Sequence, residues 1–139
     1  MRITSLTLRN FRRYRNETTI TFDDLTVLVG KNDVGKSTIL EALDIFFNDG
    51  TGCIKIDKDD VSITKDENHE REIVISVCFS ELPSTVVIDA TNETSLQDEY
   101  LLNENQELEI VKKISKWRKG KKFIFELIIL ETQSALIYF

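Results

Sequence analysis

The sequence has few of the residues from which proteins build metal centres. Among its 139 residues there are one histidine and two cysteines. Cys53 and Cys78 stand far apart, without the close spacing of metal ligands, and His69 lies in a polar run with acidic neighbours. This inventory excludes a zinc site.

Long hydrophobic runs are also missing. No uncharged apolar segment approaches the ~20 residues that span a membrane, and the N-terminus shows no signal peptide. Hydrophobic residues make up 41% and charged residues 30% of the chain, as in an ordinary globular protein. Together with the missing membrane span and signal peptide, this composition predicts a cytoplasmic domain that has no membrane partner.

Acidic residues are absent from two basic segments of a chain whose formal net charge is −6. Such segregation is typical of local anion-binding patches, or of solvated basic turns on an acidic body. Trp117 and Phe123 lie beside the second segment, and aromatic rings stack on bases, so a nucleic-acid-binding module is one hypothesis. The basic residues are Arg2, Arg9, Arg12, Arg13 and Arg15 in the first segment, and Lys112, Lys113, Lys116, Arg118, Lys119, Lys121 and Lys122 in the second.

The stretch GKNDVGKS, residues 30–37, carries the strongest functional signal. It matches the phosphate-binding pattern G-x-x-x-x-G-K-[ST] at every fixed position. Residues 25–29 before it form a short apolar run, which predicts a strand buried on both faces. After it, hydrophobic residues recur at helical spacing from Ile39 to Phe47. Strand, glycine loop and helix in this order are the context that the pattern needs.

Each residue type in this loop suits the binding of nucleotide phosphates. The two glycines allow backbone turns that a side chain would obstruct, and successive N–H groups at the helix start hold phosphate oxygens. Lys36 is predicted to reach the β- and γ-phosphates, Ser37 to coordinate Mg²⁺ and Thr38 to reach the α-phosphate. The predicted ligands are therefore ATP and Mg²⁺. The predicted binding residues in the loop are Gly30, Asn32, Asp33, Val34, Gly35, Lys36, Ser37 and Thr38.

The pattern of the whole chain predicts an α/β (α+β) P-loop NTPase fold. It combines a mixed sheet, one main helix after the phosphate loop and an antiparallel β subdomain. We expect one partial domain over residues 1–139, with the P-loop core in residues 1–56 and the β-rich part in residues 72–139. The expected strands are an N-terminal one from Ile3, a returning one over 18–22, others over 72–79 and 86–88, and a hairpin of 108–114 with 123–130; Asn48-Asp49-Gly50 ends the helix.

Hydrolysis would require more than this loop. It needs a carboxylate after an apolar strand to help hold Mg²⁺, and a group that orients water. Asp89 and Glu131 follow such runs, but ordinary strand ends explain both, so no catalytic residue is assigned. The apolar segment 135–139 predicts that the chain is truncated relative to a longer protein.

Residues 2–12 read RITSLTLRNFR, and a predicted strand ending at Phe22 and the phosphate loop follow them. This opening resembles the start of SMC, RecF and RecN-type ATPases, which have ABC-like heads. The chain is most similar to the OLD (overcoming lysogenization defect) family. These ATP-dependent endonucleases join an ABC-type ATPase to a C-terminal Toprim nuclease. The segments DDVS at 59–62, FSELP at 79–83 and DEYLLN at 98–103 add to the likeness.

The resemblance implies the N-terminal lobe of an ABC-type ATPase. It places Asn10 and Arg12 at the phosphates or the nucleotide's edge, and Phe11 in the core. It also implies a homodimer closed around ATP, and DNA as the substrate of the complete protein, in phage defence or DNA repair. The Walker B acids, the signature motif and the Toprim carboxylates have no counterpart here, so ATPase and endonuclease activity are expected only of the complete protein. The remaining alternative is a stand-alone small P-loop kinase or GTPase. The chain contains neither the Arg-rich lid of such kinases nor the N-K-x-D motif of such GTPases.

Overall fold

The computed structural model describes residues 1–31, 35–62, 72–89, 92–99, 101–116, 123–130 and 136–138. One helix packs against a six-stranded sheet in this part of the chain. The elements are β1 (Arg2–Arg9), β2 (Thr18–Thr21), α1 (Lys36–Asn48), a 3₁₀ helix (Lys58–Asp60), β3 (Ile73–Ser80), β4 (Val86–Asp89), β5 (Asn92–Thr94), β6 (Leu108–Lys116), β7 (Phe123–Leu130) and β8 (Leu136–Tyr138). The predicted helix, the returning strand and the β6–β7 hairpin are confirmed.

The order of the large sheet is β2-β1-β3-β6-β7-β8, and β4 pairs with β5 separately. All pairings between these described strands are antiparallel. The mixed sheet predicted from the sequence is therefore wrong for this part of the chain. Parallel neighbours need a crossover connection, whereas short connections such as those of β1–β2 and β6–β7 return the chain in the opposite direction.

The apolar run of residues 25–29 forms no strand, contrary to the prediction of a strand buried on both faces. Leu25, Val27 and Val29 are 83%, 67% and 81% exposed. A strand needs neighbours that take up its backbone hydrogen bonds, and no strand in the described ranges lies alongside this run. Leu28 is partly buried against the core, but the segment as a whole has a strand-like sequence without neighbours among the described strands.

The core lies between α1 and one face of the sheet. On β1, Leu6 and Leu8 alternate into the core opposite Val77 and Ile75 of β3, and all four side chains are fully buried. Each of them contributes about 1.5–3 kcal/mol through burial. The residues that α1 adds, at helical spacing, are Ile39, Ala42, Ile45 and Phe46. This packing fixes the start of α1 relative to β1 and the turn after it.

A buried lysine holds the far end of α1. Lys112 lies on β6 opposite Ile75, in a core-facing row, and is 9% exposed. Its ammonium donates hydrogen bonds to the Phe46 carbonyl and the Asp49 carboxylate, and lies 5.0 Å from the centre of the Phe46 ring. A cation at a helix C-terminus is favourable because it complements the helix dipole. Lys112, the first residue of the basic segment 112–122, thus serves the fold.

Candidate functional site

Two glycines with positive φ shape the approach to α1. Gly35 stands at the N-cap of the helix with φ 86°, and Gly30, at the start of the loop, has φ 145°. Residues with a side chain rarely adopt these conformations, which explains glycine at both positions. Because the N-cap residue has no side chain to accept a hydrogen bond, the first N–H groups of α1 keep their capacity for an external acceptor.

Lys36 folds its side chain back over the loop. Its ammonium donates one hydrogen bond to the Gly30 carbonyl and another, of 2.9 Å, to the Lys31 carbonyl. A positive charge and a helix N-terminus therefore lie together, which is the arrangement that binds anions. Residues 32–34, predicted from the sequence to complete the site, lie outside the described residues.

The two hydroxyl residues after Lys36 differ in exposure. Ser37 is exposed, whereas Thr38 is 7% exposed. The Ser37 hydroxyl fits the predicted role of a magnesium ligand, because Mg²⁺ keeps several waters and needs open space around it. Thr38 is held at the same helix start, and its predicted phosphate contact stays a prediction.

Tyr14 packs against the N-cap residue of α1. Its hydroxyl donates a long hydrogen bond of 3.4 Å to the Gly35 carbonyl. A Cβ atom added to Gly35 would lie 3.2 Å from the Tyr14 hydroxyl oxygen, so the two residues are already in close contact. Sequence reasoning assigned Tyr14 no role. The one available signal was an aromatic residue flanked by arginines in the turn that precedes the site.

Replacing Gly35 by alanine is expected to lower the free energy of unfolding by about 1–2 kcal/mol, because a left-handed φ costs a residue with a side chain roughly that much. The new methyl group would also press on Tyr14. Urea denaturation of the variant measures the loss. In the double variant Gly35→Ala with Tyr14→Phe, part of it should return, because the crowded hydroxyl is gone. A Gly35→Ala protein as stable as the parent would contradict the observed φ.

Two carboxylates hold Arg12, in the turn after β1. Its Nε donates a 2.7 Å hydrogen bond to Asp60, and its Nη1 donates to Glu41 on α1. Burial, the largest single influence, lowers the pKa of Arg12, but the hydrogen bonds and charges of Asp60 and Glu41 together raise it above its ordinary value. Arg12 is therefore a permanent cation that is engaged with acids of the protein itself.

Asn10 joins the same turn to two other segments. It has a left-handed backbone (φ 56°), and its side-chain amide donates to the Glu72 carbonyl at 3.2 Å. Its own carbonyl accepts a hydrogen bond from the Ser62 N–H at 3.0 Å. The predicted contact of Asn10 and Arg12 with the nucleotide stays a prediction; the structure brings both residues into the turn that packs against α1.

A metal centre and a membrane-spanning helix find no support in the described ranges. They hold no group of three or more His, Cys, Asp or Glu side chains that could bind a metal ion. None of the helices described there combines the length and the apolar character that crossing a membrane requires. The basic segment 112–122 is described only as far as residue 116, and its Lys112 is buried at the end of α1. The start of α1 remains the candidate site.

Comparison with protein families finds a match over nearly the whole chain. A model of the AAA ATPase domain matches residues 1–137 of the chain. That range includes the phosphate loop, α1 and the strands β1 to β7. A search of curated proteins finds no match.

Proposed function

The chain belongs to the AAA ATPase domain family, and we propose that it binds ATP with Mg²⁺ at residues 30–38, where α1 begins. Membership of this family makes a nucleotide the expected ligand. The position of the Lys36 ammonium supports a phosphate site here. It lies over the Gly30 and Lys31 carbonyls, beside a helix start that is capped by glycine.

The chemistry of the loop residues suits this ligand. In the proposed complex, N–H groups at the start of α1 donate hydrogen bonds to phosphate oxygens, and Lys36 exchanges its two carbonyl acceptors for phosphate oxygens. The exchange is favourable because a hydrogen bond between two charged groups is roughly twice as strong as one between neutral groups. The Ser37 hydroxyl would hold Mg²⁺, whose charge offsets that of the phosphates, and Thr38 would reach the α-phosphate.

We propose further that the chain is the N-terminal lobe of a longer OLD-like ATPase that acts on DNA as a homodimer. The exposed apolar run of residues 25–29 supports this, because such a run before a phosphate loop suits a strand with neighbours, and the described ranges supply none. Asp89 ends a strand of the small β4–β5 sheet, and Glu131 lies outside the described residues. In this proposal the complete protein provides the carboxylates for hydrolysis.

Calorimetric titration of the purified chain with ATP, ADP and AMP, each with and without Mg²⁺, tests the proposed site. ATP and ADP should bind with Mg²⁺, and AMP should bind at least about tenfold more weakly because it lacks the phosphates that Lys36 contacts. At a ligand concentration ~100 times Kd, binding adds about 2.7 kcal/mol to the stability, so the melting temperature should rise by several degrees. We expect negligible release of phosphate from ATP.

The possible outcomes separate the two proposals. Equal affinity for AMP and ATP, or no binding of ATP at millimolar concentration, would refute the phosphate site. ATP binding accompanied by sustained hydrolysis would leave the site in place, but would contradict the proposal that the complete protein provides the catalytic groups.

A further inference from the structure

We infer that Arg12 is a positioning residue for the nucleotide site. It holds α1 through Glu41 and Asp60 and does not itself bind the phosphates. The inference rests on the proposed function, because it concerns how the start of α1 is kept in place for ATP. It gives Arg12 a role different from the phosphate contact that the family resemblance implies.

Arg12 connects three segments that are distant in sequence. Its guanidinium reaches Glu41 on α1 and Asp60 in the 3₁₀ helix. Its backbone N–H donates a 2.6 Å hydrogen bond to the Asp60 carbonyl, and its carbonyl accepts one from the Ser62 hydroxyl. The second carboxylate oxygen of Asp60 accepts a 2.7 Å hydrogen bond from the Asp57 N–H. Both the main chain and the side chain of Arg12 are therefore fixed.

The backbone of Arg12 is held in an unusual conformation. Its φ is 50°, in the left-handed region, where residues other than glycine persist only when the surrounding structure holds them. The contacts with Asp60 and Ser62 supply that restraint. Local strain of this kind clusters at functional sites. The conformation of the turn therefore holds the Arg12 guanidinium between the carboxylates of Asp60 and Glu41.

Glu41 transfers this restraint to the site. It lies four residues after Ser37 on α1, and residues four apart share a face of a helix. A tether at Glu41 therefore limits the rotation and sliding of the turn that carries Lys36 and Ser37. The side chains of Arg12 and Glu41 are each 27% exposed and that of Asp60 is 12% exposed, so water screens their attraction only in part.

The local charge balance argues against a direct phosphate contact. One guanidinium between two carboxylates leaves a net negative charge, which repels a triphosphate. To reach a phosphate, Arg12 would have to leave Asp60 as a nearly buried carboxylate without its cation. Removing one partner from a buried ion pair is strongly unfavourable. Arg12 is therefore better suited to remain with its two acids while ATP binds to the loop.

The two roles predict opposite effects of Glu41→Gln. If Arg12 bound a phosphate, Glu41 would compete with that phosphate, and the substitution would leave ATP affinity unchanged or increase it. If Arg12 positions α1, the loss of the Glu41 charge loosens the tether and weakens ATP binding. We expect about a tenfold rise in Kd, within the range seen for residues that modulate a site without touching its ligand.

The experiment is a calorimetric titration with ATP and Mg²⁺ at a temperature where circular dichroism shows every variant fully folded. Glu41→Gln and Arg12→Lys should each raise Kd about tenfold, because lysine keeps the charge but lacks the fork that spans two carboxylates. The double variant should be no weaker than either single one, since both remove the same link. Arg13→Ala, which removes an exposed arginine from the same turn, is the matched control and should change Kd less than about twofold.

Each other result decides against the inference. Unchanged or tighter binding by Glu41→Gln while the parent binds would overturn it and leave the proposed function intact. The inference also fails if the variants only melt earlier and bind ATP as the parent does, since the link would then serve stability alone. A parent protein that does not bind ATP would refute the proposed function and this inference together.

Discussion

Replacement of Lys36 by alanine is expected to weaken ATP binding about 100-fold. The substitution removes a side-chain cation that lies over the loop, together with its hydrogen bonds. Hydrogen bonds to charged groups are worth about 1.5–3 kcal/mol each, and a 100-fold change in Kd corresponds to about 2.7 kcal/mol. No core side chain is altered, so the ligand-free variant should melt within a few degrees of the parent.

The shift in melting temperature on addition of ATP and Mg²⁺, together with a calorimetric Kd, measures this effect. Lys55→Ala is the matched control, because it removes an exposed lysine beyond the end of α1. The control should retain the shift of the parent. If Lys36→Ala also retained it, the nucleotide would bind elsewhere; if both variants lost it, the net charge of the chain would be responsible.

Phe11→Ala is expected to cause the largest loss of stability, about 3–5 kcal/mol. Phe11 is fully buried, as predicted from the sequence, and belongs to the core cluster beneath the turn that carries Arg12. The Arg12 guanidinium lies 5.0 Å from the centre of its ring. Loss of the ring would leave a cavity and remove the support of the turn. In a domain of this size the melting temperature should fall by roughly 10–20 °C.

Urea and thermal denaturation measure this loss, and Phe47→Ala provides the same chemical change at a different site. Phe47 lies on α1 and is 54% exposed, although its ring contacts those of Phe46 and Phe79. Its removal should cost less than half as much as the removal of Phe11. A larger loss for Phe47→Ala would show that the core is centred elsewhere.

Features that depend on neighbouring residues were predictable from the sequence. The change from strand to helical spacing around the glycine loop located α1, and Asn48-Asp49-Gly50 marked its end. There, Asp49 and Gly50 adopt left-handed conformations and their N–H groups return to the Ile45 carbonyl. Alternation likewise located β6, and the basic turn after it located β7 and their antiparallel pairing. These patterns depend on residues that are close together in sequence, so they can be recognised without knowing the rest of the fold.

Features that depend on distant partners were not predictable in this way. Residues 25–29 have the composition of a buried strand, but the described sheet offers them no neighbour. The partners of Arg12 lie 29 and 48 positions away along the chain, where no sequence pattern connects them. Lys112 is different, because the sequence shows it interrupting the apolar alternation of β6. A lysine in a core-facing row needs hydrogen-bond acceptors for its buried ammonium.

The position of β1 in the sheet, between β2 and β3, has a consequence for synthesis on the ribosome. One neighbour, β2, follows almost at once, but Val77, which pairs with Leu6, is translated about 70 residues later. At about 5–20 residues per second, Leu6 in the nascent β1–β2 hairpin would wait roughly 4–14 s for Val77 of β3. Until β3 is made, the β3 side of Leu6 and Leu8 stays uncovered although β2 already pairs with both, so we expect chaperones to meet the emerging chain first at this hairpin.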